Sequence, residues 1–301
     1  LRSGRLVCGP EVEAFESAFA RVAGCARAVA VSSGTAALLL ALEAMEFSPG
    51  DEVVVPALTF VATANAVRLA GGVPVAADVE PDSLNLDPGS AAAAAGDRTA
   101  AVLPVHQFGL PADLAEIAAA LPGVRMIEDA ACAAGADTGP PRGACACYSF
   151  HPRKTITTGE GGMVTTDDPA LAERIVRLRQ HGTGSDGRVA GVGYNLRMGE
   201  MAAAVGRVQL GRLPELLARR RRAAAWYREG LAGLDWLVLP EAKGTGRHTF
   251  QSYVVRLVPG APAAAGDAGR PGAAPARRRA PGVPVAQPRL RHTRRRKAPG
   301  G

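Results

Sequence analysis

Short apolar segments and helix-like segments alternate along the first 260 residues, and this alternation constrains the fold more than any other feature. The apolar segments lie at 28–31, 53–55, 73–75, 102–105 and 124–127, and helical patterns separate most of them. Strands that are joined through helices run parallel, and helices then cover both faces of the sheet. The sequence therefore predicts an α/β fold with a mainly parallel sheet sandwiched by helices, in which ligands bind at the carboxyl ends of strands.

The first helix can be placed from its end signals and its periodicity. Pro10 suits the first turn of a helix, and Gly24 suits the residue that ends it. Four apolar residues between them recur at intervals of three and four, which predicts one buried stripe made of Val12, Phe15, Phe19 and Val22.

The chain becomes more helical after Gly162. We expect one helix at 169–180 and a long arginine-rich helix at 199–230 that breaks near Pro214. A single strand is expected at 248–258, with no partner strand after it. This pattern is typical of an incomplete fold, in which a second layer has its first strand and lacks the rest.

Composition divides the chain at about residue 260. The 301 residues carry a formal net charge of +7, but residues 261–301 contain ten of the 35 basic residues and one of the 28 acidic residues. This segment is therefore net +9 and the remainder net −2. A stretch dominated by Ala, Arg, Pro and Gly cannot bury enough apolar surface to offset its ordering entropy. We expect a large domain at 1–198, the start of a small C-terminal domain at 199–260, and a disordered basic tail at 261–301.

Several classes of protein are disfavoured by composition. No apolar run approaches the ~18 residues that a membrane helix needs. The five cysteines form no CxxC pair and their number is odd, which disfavours a disulfide framework and a zinc site. We therefore expect a cytoplasmic protein with no membrane partner and no metal. Because the chain starts without methionine, we also expect it to begin within a longer reading frame or from an unusual start codon.

Three polar features can carry chemistry, and each has an ordinary alternative. The N–H groups after Ser33 can bind a phosphate at a helix N-terminus, although a simple N-cap is favoured when the motif is taken alone. Asp129 ends an apolar strand, where it lies either at a ligand-binding edge or in a turn. Lys154 lies in a loop rich in Gly and Thr, where its amine can form a Schiff base or simply face solvent.

Five motifs in order, taken together, resemble one family. They are VSSGT at 31–35, PALTF at 56–60, IEDAA at 127–131, YSFHPRK at 148–154 with GEGG at 159–162, and GYNLRM at 193–198. Their order and spacing are similar to those of the nucleotide-sugar aminotransferases that depend on pyridoxal phosphate, the DegT/DnrJ/StrS group of fold type I. The resemblance covers residues 1–258.

The resemblance implies pyridoxal phosphate as the cofactor and two catalytic residues. Lys154 would be the Schiff-base lysine and later the base that moves a proton between substrate and cofactor. Asp129 would keep the pyridine nitrogen protonated, so that the ring can accept electrons. Related sugar dehydratases have histidine in place of the lysine, so Lys154 favours transamination.

The resemblance also implies how the cofactor is held. Gly34, Thr35 and Ser149 would bind its phosphate, and Phe60 would stack on its ring. Asn195 would reach the cofactor phosphate of a partner subunit, which implies a homodimer.

Four further residues are interpreted individually. His106 either approaches the sugar substrate or is structural, and Glu160 helps to shape the substrate pocket. His181 is interpreted as structural. Cys132 stands where the family usually has Gln or His, three residues after the aspartate, so we expect weaker cofactor binding.

The resulting interpretation is an enzyme of amino-sugar biosynthesis. It would transfer an amino group from an amino acid to the keto group of a nucleotide-linked deoxysugar. The resemblance implies that this amino acid is glutamate.

One alternative is an inactive remnant, because the resemblance stops near Val258. We hypothesise that the segment after residue 260 is a frameshift product, with a natural disordered tail as the alternative. A nucleic-acid binder that uses the arginine clusters at 277–279 and 294–297 is disfavoured, since no aromatic residue lies among them.

Overall fold

A computed structural model describes residues 4–139, 142–184, 187–240, 247–259 and 261. The helices within these residues are α1 (Pro10–Ala23), α2 (Gly34–Glu43), α3 (Ala62–Leu69), α4 (Pro88–Ala94), α5 (Leu114–Ala120), α6 (Pro169–Arg179), α7 (Glu200–Gly211) and α8 (Leu213–Leu231). The strands are β1 (Arg27–Val31), β2 (Glu52–Pro56), β3 (Val73–Ala77), β4 (Thr99–Val102), β5 (Arg125–Asp129), β6 (Cys145–Ser149), β7 (Gly162–Thr166), β8 (Leu237–Val238) and β9 (Arg256–Leu257).

The first seven strands form one sheet in the order β1-β7-β6-β5-β4-β2-β3. Strand β7 is antiparallel to both of its neighbours, β1 and β6, and the other pairs are parallel. The predicted α/β fold with a mainly parallel sheet is therefore confirmed. Strands β6 and β7 were not among the strands that the sequence pattern predicts.

Helices cover both faces of this sheet because its buried strands are apolar on both sides. Val53 and Val55 lie in a cluster with residues of α2 and α6, whereas Val54 between them packs with residues of α4 and α5. Helices α1, α7 and α8 cover the remainder of the second face, over β6 and β7. Consecutive strand residues point to opposite faces, so each strand contributes to two cores.

Helix α1 begins and ends as predicted, but its buried stripe is shorter. Gly24 ends the helix with a φ of +66°, a left-handed conformation that glycine adopts without strain. Phe15 and Phe19 are buried, whereas Val22 is 47% exposed, so the expectation that Val22 joins the stripe was wrong. At the other end, the Glu200 carboxylate of α7 accepts hydrogen bonds from three backbone N–H groups of the α1 N-terminus, at 2.8–3.1 Å.

The C-terminal part differs from its prediction. The long arginine-rich helix does break, at Arg212, and Pro214 lies in the first turn of α8. The single strand expected at 248–258 was wrong, because only Arg256–Leu257 is a strand. Phe250 has a φ of +47°, which an extended strand does not allow. Strand β9 also has a partner, since it pairs antiparallel with the preceding strand β8.

Two other expectations, the basic tail and the domain limits, stay predictions. Apart from Ala261, the expected basic tail lies outside the described residues, as do both of its arginine clusters. The domain limits at 198 and 260 remain predictions. Among the described residues, no helix is both long and apolar enough to cross a membrane.

Candidate active site

The N-terminus of α2 lies against the end of β6, although β7 separates β1 from β6 in the sheet. After β1 the chain crosses over Gly162, where a Cβ would collide with the Ser33 carbonyl oxygen. A Cβ on Gly34 would likewise lie 2.7 Å from the Cβ of Ser149. Two glycines therefore allow the helix N-terminus and the Ser149 hydroxyl to meet at one edge.

This helix N-terminus has the properties of an anion site. The Ser33 hydroxyl accepts a hydrogen bond from Ala36 N at 3.1 Å, so the N-cap alternative is correct for Ser33. The cap leaves the N–H groups of Gly34 and Thr35 without intrahelical partners, since the first turn of a helix has none to offer them. Thr35 itself is exposed. The cap and the anion site are compatible.

Asp129 is a buried carboxylate with a defined orientation. It ends β5, is 5% exposed, and accepts hydrogen bonds from the Thr63 hydroxyl at 2.8 Å and from Ala131 N at 3.1 Å. The hydroxyl of Thr59 lies 2.9 Å from that of Thr63. Thr63 is fully buried on α3, and the sequence analysis missed it. Its position one turn after the PALTF motif is the signal that could have found it.

Lys154 lies in the loop after β6, and its amine reaches the segment after Asp129. Its backbone N–H donates to the carbonyl of His151 at 2.8 Å, which forms a tight turn. Its Nζ donates to the Cys132 sulfur at 3.3 Å. Cys132 thus joins the lysine loop to the loop that begins at Asp129.

The Cys132 thiol is neutral in this environment. Burial raises its pKa; the nearby Lys154 amine opposes this rise and the Asp129 carboxylate adds to it. A neutral sulfur accepts only weakly from an amine, so this contact orients the Lys154 side chain through a weak hydrogen bond.

His106 is fully buried, and protein groups occupy both of its ring nitrogens. Ala112 N donates to Nδ1 at 3.0 Å, so Nε2 carries the proton and donates to the Glu128 carboxylate at 2.9 Å. Glu128 also accepts from Gly143 N at 2.7 Å. Of the two alternatives for His106, this geometry supports the structural one.

The remaining site candidates are exposed to differing degrees. Phe60 is 66% exposed just before α3, at the carboxyl end of β2. Asn195 is exposed, and its side-chain oxygen accepts from Arg197 Nε at 3.0 Å. The Glu160 carboxylate, in the loop that follows Lys154, lies 3.9 Å from Nε2 of His151. His181 has a φ of +56° and donates its backbone N–H to the carbonyl of Tyr194.

The residues at this edge fit pyridoxal phosphate. The close approach of Gly34 to Ser149 brings the open N–H groups of a helix N-terminus next to a hydroxyl, a set of donors that suits a phosphate. A buried carboxylate suits the protonated nitrogen of a pyridine ring. A primary amine whose neighbour is a neutral sulfur suits an aldehyde. Fold and site together define a pyridoxal-phosphate enzyme of fold type I.

The comparison with known families agrees. The DegT/DnrJ/EryC1/StrS aminotransferase family matches residues 1–264, and the chain belongs to this family. The match extends six residues beyond the resemblance found in the sequence.

Similar proteins have related names. The chain is 44% identical over 252 residues to the GDP-perosamine synthase of Caulobacter vibrioides, covering 81% of this chain and 68% of that protein. It is 41% identical over 264 residues to a UDP-N-acetyl-3-dehydro-alpha-D-glucosamine 3-aminotransferase of Acidithiobacillus ferrooxidans, covering 85% and 71%.

A solved structure has the same fold. DesV of S. venezuelae, in complex with a ketimine intermediate, superposes with a TM-score of 0.81 at 39% identity, covering 85% of this chain and 71% of that one. The protein is therefore a pyridoxal-phosphate-dependent sugar aminotransferase, as the sequence predicts.

Proposed function

We propose that Lys154 binds the cofactor covalently and then moves the proton in each half of the transamination. The contact between Lys154 Nζ and Cys132 Sγ carries this proposal, because it brings the amine to the loop that begins at Asp129. The bound cofactor supplies an electron sink for the carbon that bears the amino group. The lysine amine is the flexible group at this edge that can both bond to an aldehyde and accept a proton.

Asp129 would keep the cofactor nitrogen protonated in this proposal. Its two oxygens already accept from Thr63 and Ala131, so the carboxylate keeps one orientation while a third group approaches. Burial strengthens the attraction between the carboxylate and a pyridinium, since little water screens it.

Gly34, Thr35 and Ser149 bind the phosphate, and Phe60 covers one face of the ring. The support is the contact of Gly34 with Ser149, the open N–H groups of the first turn, and the exposed aromatic side chain of Phe60. Asn195 reaches the site of a second copy, and its exposure supports this role. The assembly is then a homodimer with shared sites.

The amino acceptor is a keto group on a nucleotide-linked deoxysugar, and the donor is glutamate. Similarity to a GDP-perosamine synthase and to a UDP-sugar 3-aminotransferase supports a nucleotide-linked acceptor. A cytoplasmic location is also proposed, and the five free cysteines suit a reducing compartment.

Spectroscopy of the purified full chain tests this function. With pyridoxal phosphate, the wild-type protein is expected to show a visible absorption band that glutamate removes, with release of 2-oxoglutarate. Lys154→Ala is expected to lose the band and at least about 10³-fold in turnover, because the covalent bond and the proton carrier go together. Absence of the band from the wild type would favour the inactive-remnant alternative.

Lys154→Ala needs a matched control. Arg153→Ala removes the exposed neighbouring cation and keeps the amine, so it is expected to retain the band. A band of equal strength in Lys154→Ala would overturn the assignment of Lys154.

A further inference from the structure

A segment of the C-terminal part lies directly against the active-site loops. Thr249 is fully buried, and its backbone N–H donates to the carbonyl of Gly109 at 2.9 Å, in the loop after β4. Ser252 N donates to the carbonyl of Phe108 in the same loop, at 3.3 Å. The segment 248–252 is thus fixed beside the carboxyl end of the sheet, although it comes about 120 residues after β5.

The Thr249 hydroxyl reaches the residue that contacts the lysine amine. It donates to the carbonyl of Cys132 at 2.9 Å, and the Cys132 sulfur accepts from Lys154 Nζ at 3.3 Å. Gly109 makes this approach feasible, because a Cβ there would collide with the Thr249 hydroxyl and lie 2.9 Å from the Cys132 carbonyl oxygen. Two hydrogen bonds therefore join Thr249 to the amine through one residue.

Gln251 contacts the lysine loop from the other side. Its side-chain amide donates to the carbonyl of Arg153, the residue before Lys154, at 2.8 Å. The same short segment therefore touches both partners of the amine contact: the Cys132 loop through Thr249 and the Lys154 loop through Gln251.

Helix α8 holds the segment in place. Arg220 donates to the carbonyls of Phe250 and Gln251, at 3.3 and 3.0 Å. Tyr227 of α8 stacks on Tyr253, with ring centroids 5.1 Å apart. Displacement of the segment would thus break contacts with α8 as well as with the site.

We propose that Thr249 is a positioning residue for Lys154, acting through the Cys132 carbonyl, so that the C-terminal part sets the orientation of the lysine amine. The inference rests on the proposed role of Lys154 for its effect on catalysis, but both hydrogen bonds of the link are made between protein groups. A small displacement of a reacting group is costly, since misplacement by about 1 Å can lower a rate about 10²-fold.

Amine labelling of the cofactor-free full chain tests the link. Thr249→Val keeps the shape of the side chain and removes the hydroxyl, so the Cys132 loop loses its donor. We expect Lys154 to react with an amine reagent roughly 3–10-fold faster in this variant, measured by mass spectrometry, because its amine is no longer held against the sulfur. Thr249→Ser keeps the hydroxyl and is expected to restore the wild-type rate.

A matched variant separates positioning from stability. Thr166 is also buried and donates its hydroxyl to a backbone carbonyl, that of Ala144, at 2.7 Å. Thr166→Val therefore removes the same kind of hydrogen bond far from the amine contact, and the Lys154 labelling rate should stay within twofold of wild type. Equal rates in Thr249→Val and Thr166→Val would overturn the proposal.

A double-mutant cycle tests the route through Cys132. Cys132→Ala removes the sulfur, so adding Thr249→Val to it should change the labelling rate by less than twofold. Full additivity of the two substitutions would show that Thr249 does not act through Cys132.

Measurements with the cofactor connect the link to function. In Thr249→Val, we expect turnover about 10–100-fold lower with the KM for glutamate within threefold, and an altered visible circular dichroism of the bound cofactor. A changed labelling rate with unchanged turnover and dichroism would keep the link but remove its catalytic role. Loss of cofactor binding by the wild type would instead contradict the proposed function.

Discussion

The sheet region at 4–198 and the C-terminal region at 199–259 depend on the rest of the molecule in different ways. The sheet region repeats strand and helix, and its side chains make up most of three buried clusters, one of which also contains residues of α7 and α8. The C-terminal region has two long helices and a two-stranded sheet, and it leaves Met201, Val208 and Trp226 65–70% exposed. Yet it supplies Glu200 to α1 and Thr249 to the site loops. A region with little core of its own can still determine local geometry elsewhere.

The largest expected effect in this comparison concerns the sheet region. Asp129→Asn keeps the size of the side chain but removes its charge, so under the proposed function the cofactor nitrogen would lose a buried counter-charge. We expect turnover to fall about 10²–10³-fold in steady-state assays. The neighbouring Glu128→Gln alters the buried pair with His106 and serves as the control, with a lower unfolding midpoint and an intact cofactor band. Similar turnover losses in both variants would contradict a specific role for Asp129.

A glycine pair compares the two regions directly. Gly34→Ala would place a methyl group 2.7 Å from the Ser149 Cβ, so we expect about 1–3 kcal/mol of destabilisation and roughly tenfold weaker cofactor binding. Gly230→Ala adds the same methyl group to α8, where it meets open space, and should stabilise the helix by about 0.5–1 kcal/mol. Denaturant unfolding and cofactor titration measure both. Equal behaviour of the two variants would show that the Gly34 contact is not close.

Glu200 tests how far the C-terminal region supports the sheet region. Burial alone would raise the pKa of this carboxyl, but three backbone donors of α1 outweigh that effect, and the pKa is lowered. Glu200→Ala should cost about 1–2 kcal/mol of unfolding free energy, because the α1 N-terminus loses its cap. Glu215→Ala, a change on the exposed part of α8, is the control. No difference between them in urea unfolding would remove the capping role.

The smallest effect is a pH dependence from His248. Burial lowers the pKa of this imidazole to about 4, from an ordinary value of 6.5. The unfolded chain therefore binds more protons than the folded chain between these values, and stability falls as the pH falls from 6.5 towards 4. From pH 7.5 to 5.5 the contribution is about 1 kcal/mol. His248→Gln should flatten this slope relative to wild type, and parallel slopes would rule out His248 as its source.

The sequence predicts what depends on local periodicity and on motifs. Residues 10–24 contain the end signals of α1, and four of the apolar runs coincide with β1, β2, β3 and β5, because these patterns repeat over several residues. The strand expected at 102–105 was misplaced, since β4 is Thr99–Val102 and shares only Val102 with it. The order of motifs indicates the family and with it the cofactor. Strands β6 and β7 escaped prediction because both are short and buried along their whole length, so neither shows the alternation of apolar and polar residues that indicates a half-buried strand.

Contacts between distant segments could be seen only in the tertiary structure. The alanine-rich loop after Asp129 gives no local sign that Cys132 meets Lys154, and nothing near residue 249 indicates a bond to residue 132. Val22 continues a helical stripe in sequence but is 47% exposed in the folded chain.

By itself, then, the sequence determined the α/β class, the family and the residue types at the site, since propensity, periodicity and motif order are local or ordered along the chain. The tertiary structure decided that Gly34 faces Ser149 and that Thr63 orients Asp129. It also decided that the Thr249 hydroxyl binds the backbone of Cys132, whose sulfur contacts Lys154. Such contacts depend on how whole elements pack, which no single segment of the chain encodes.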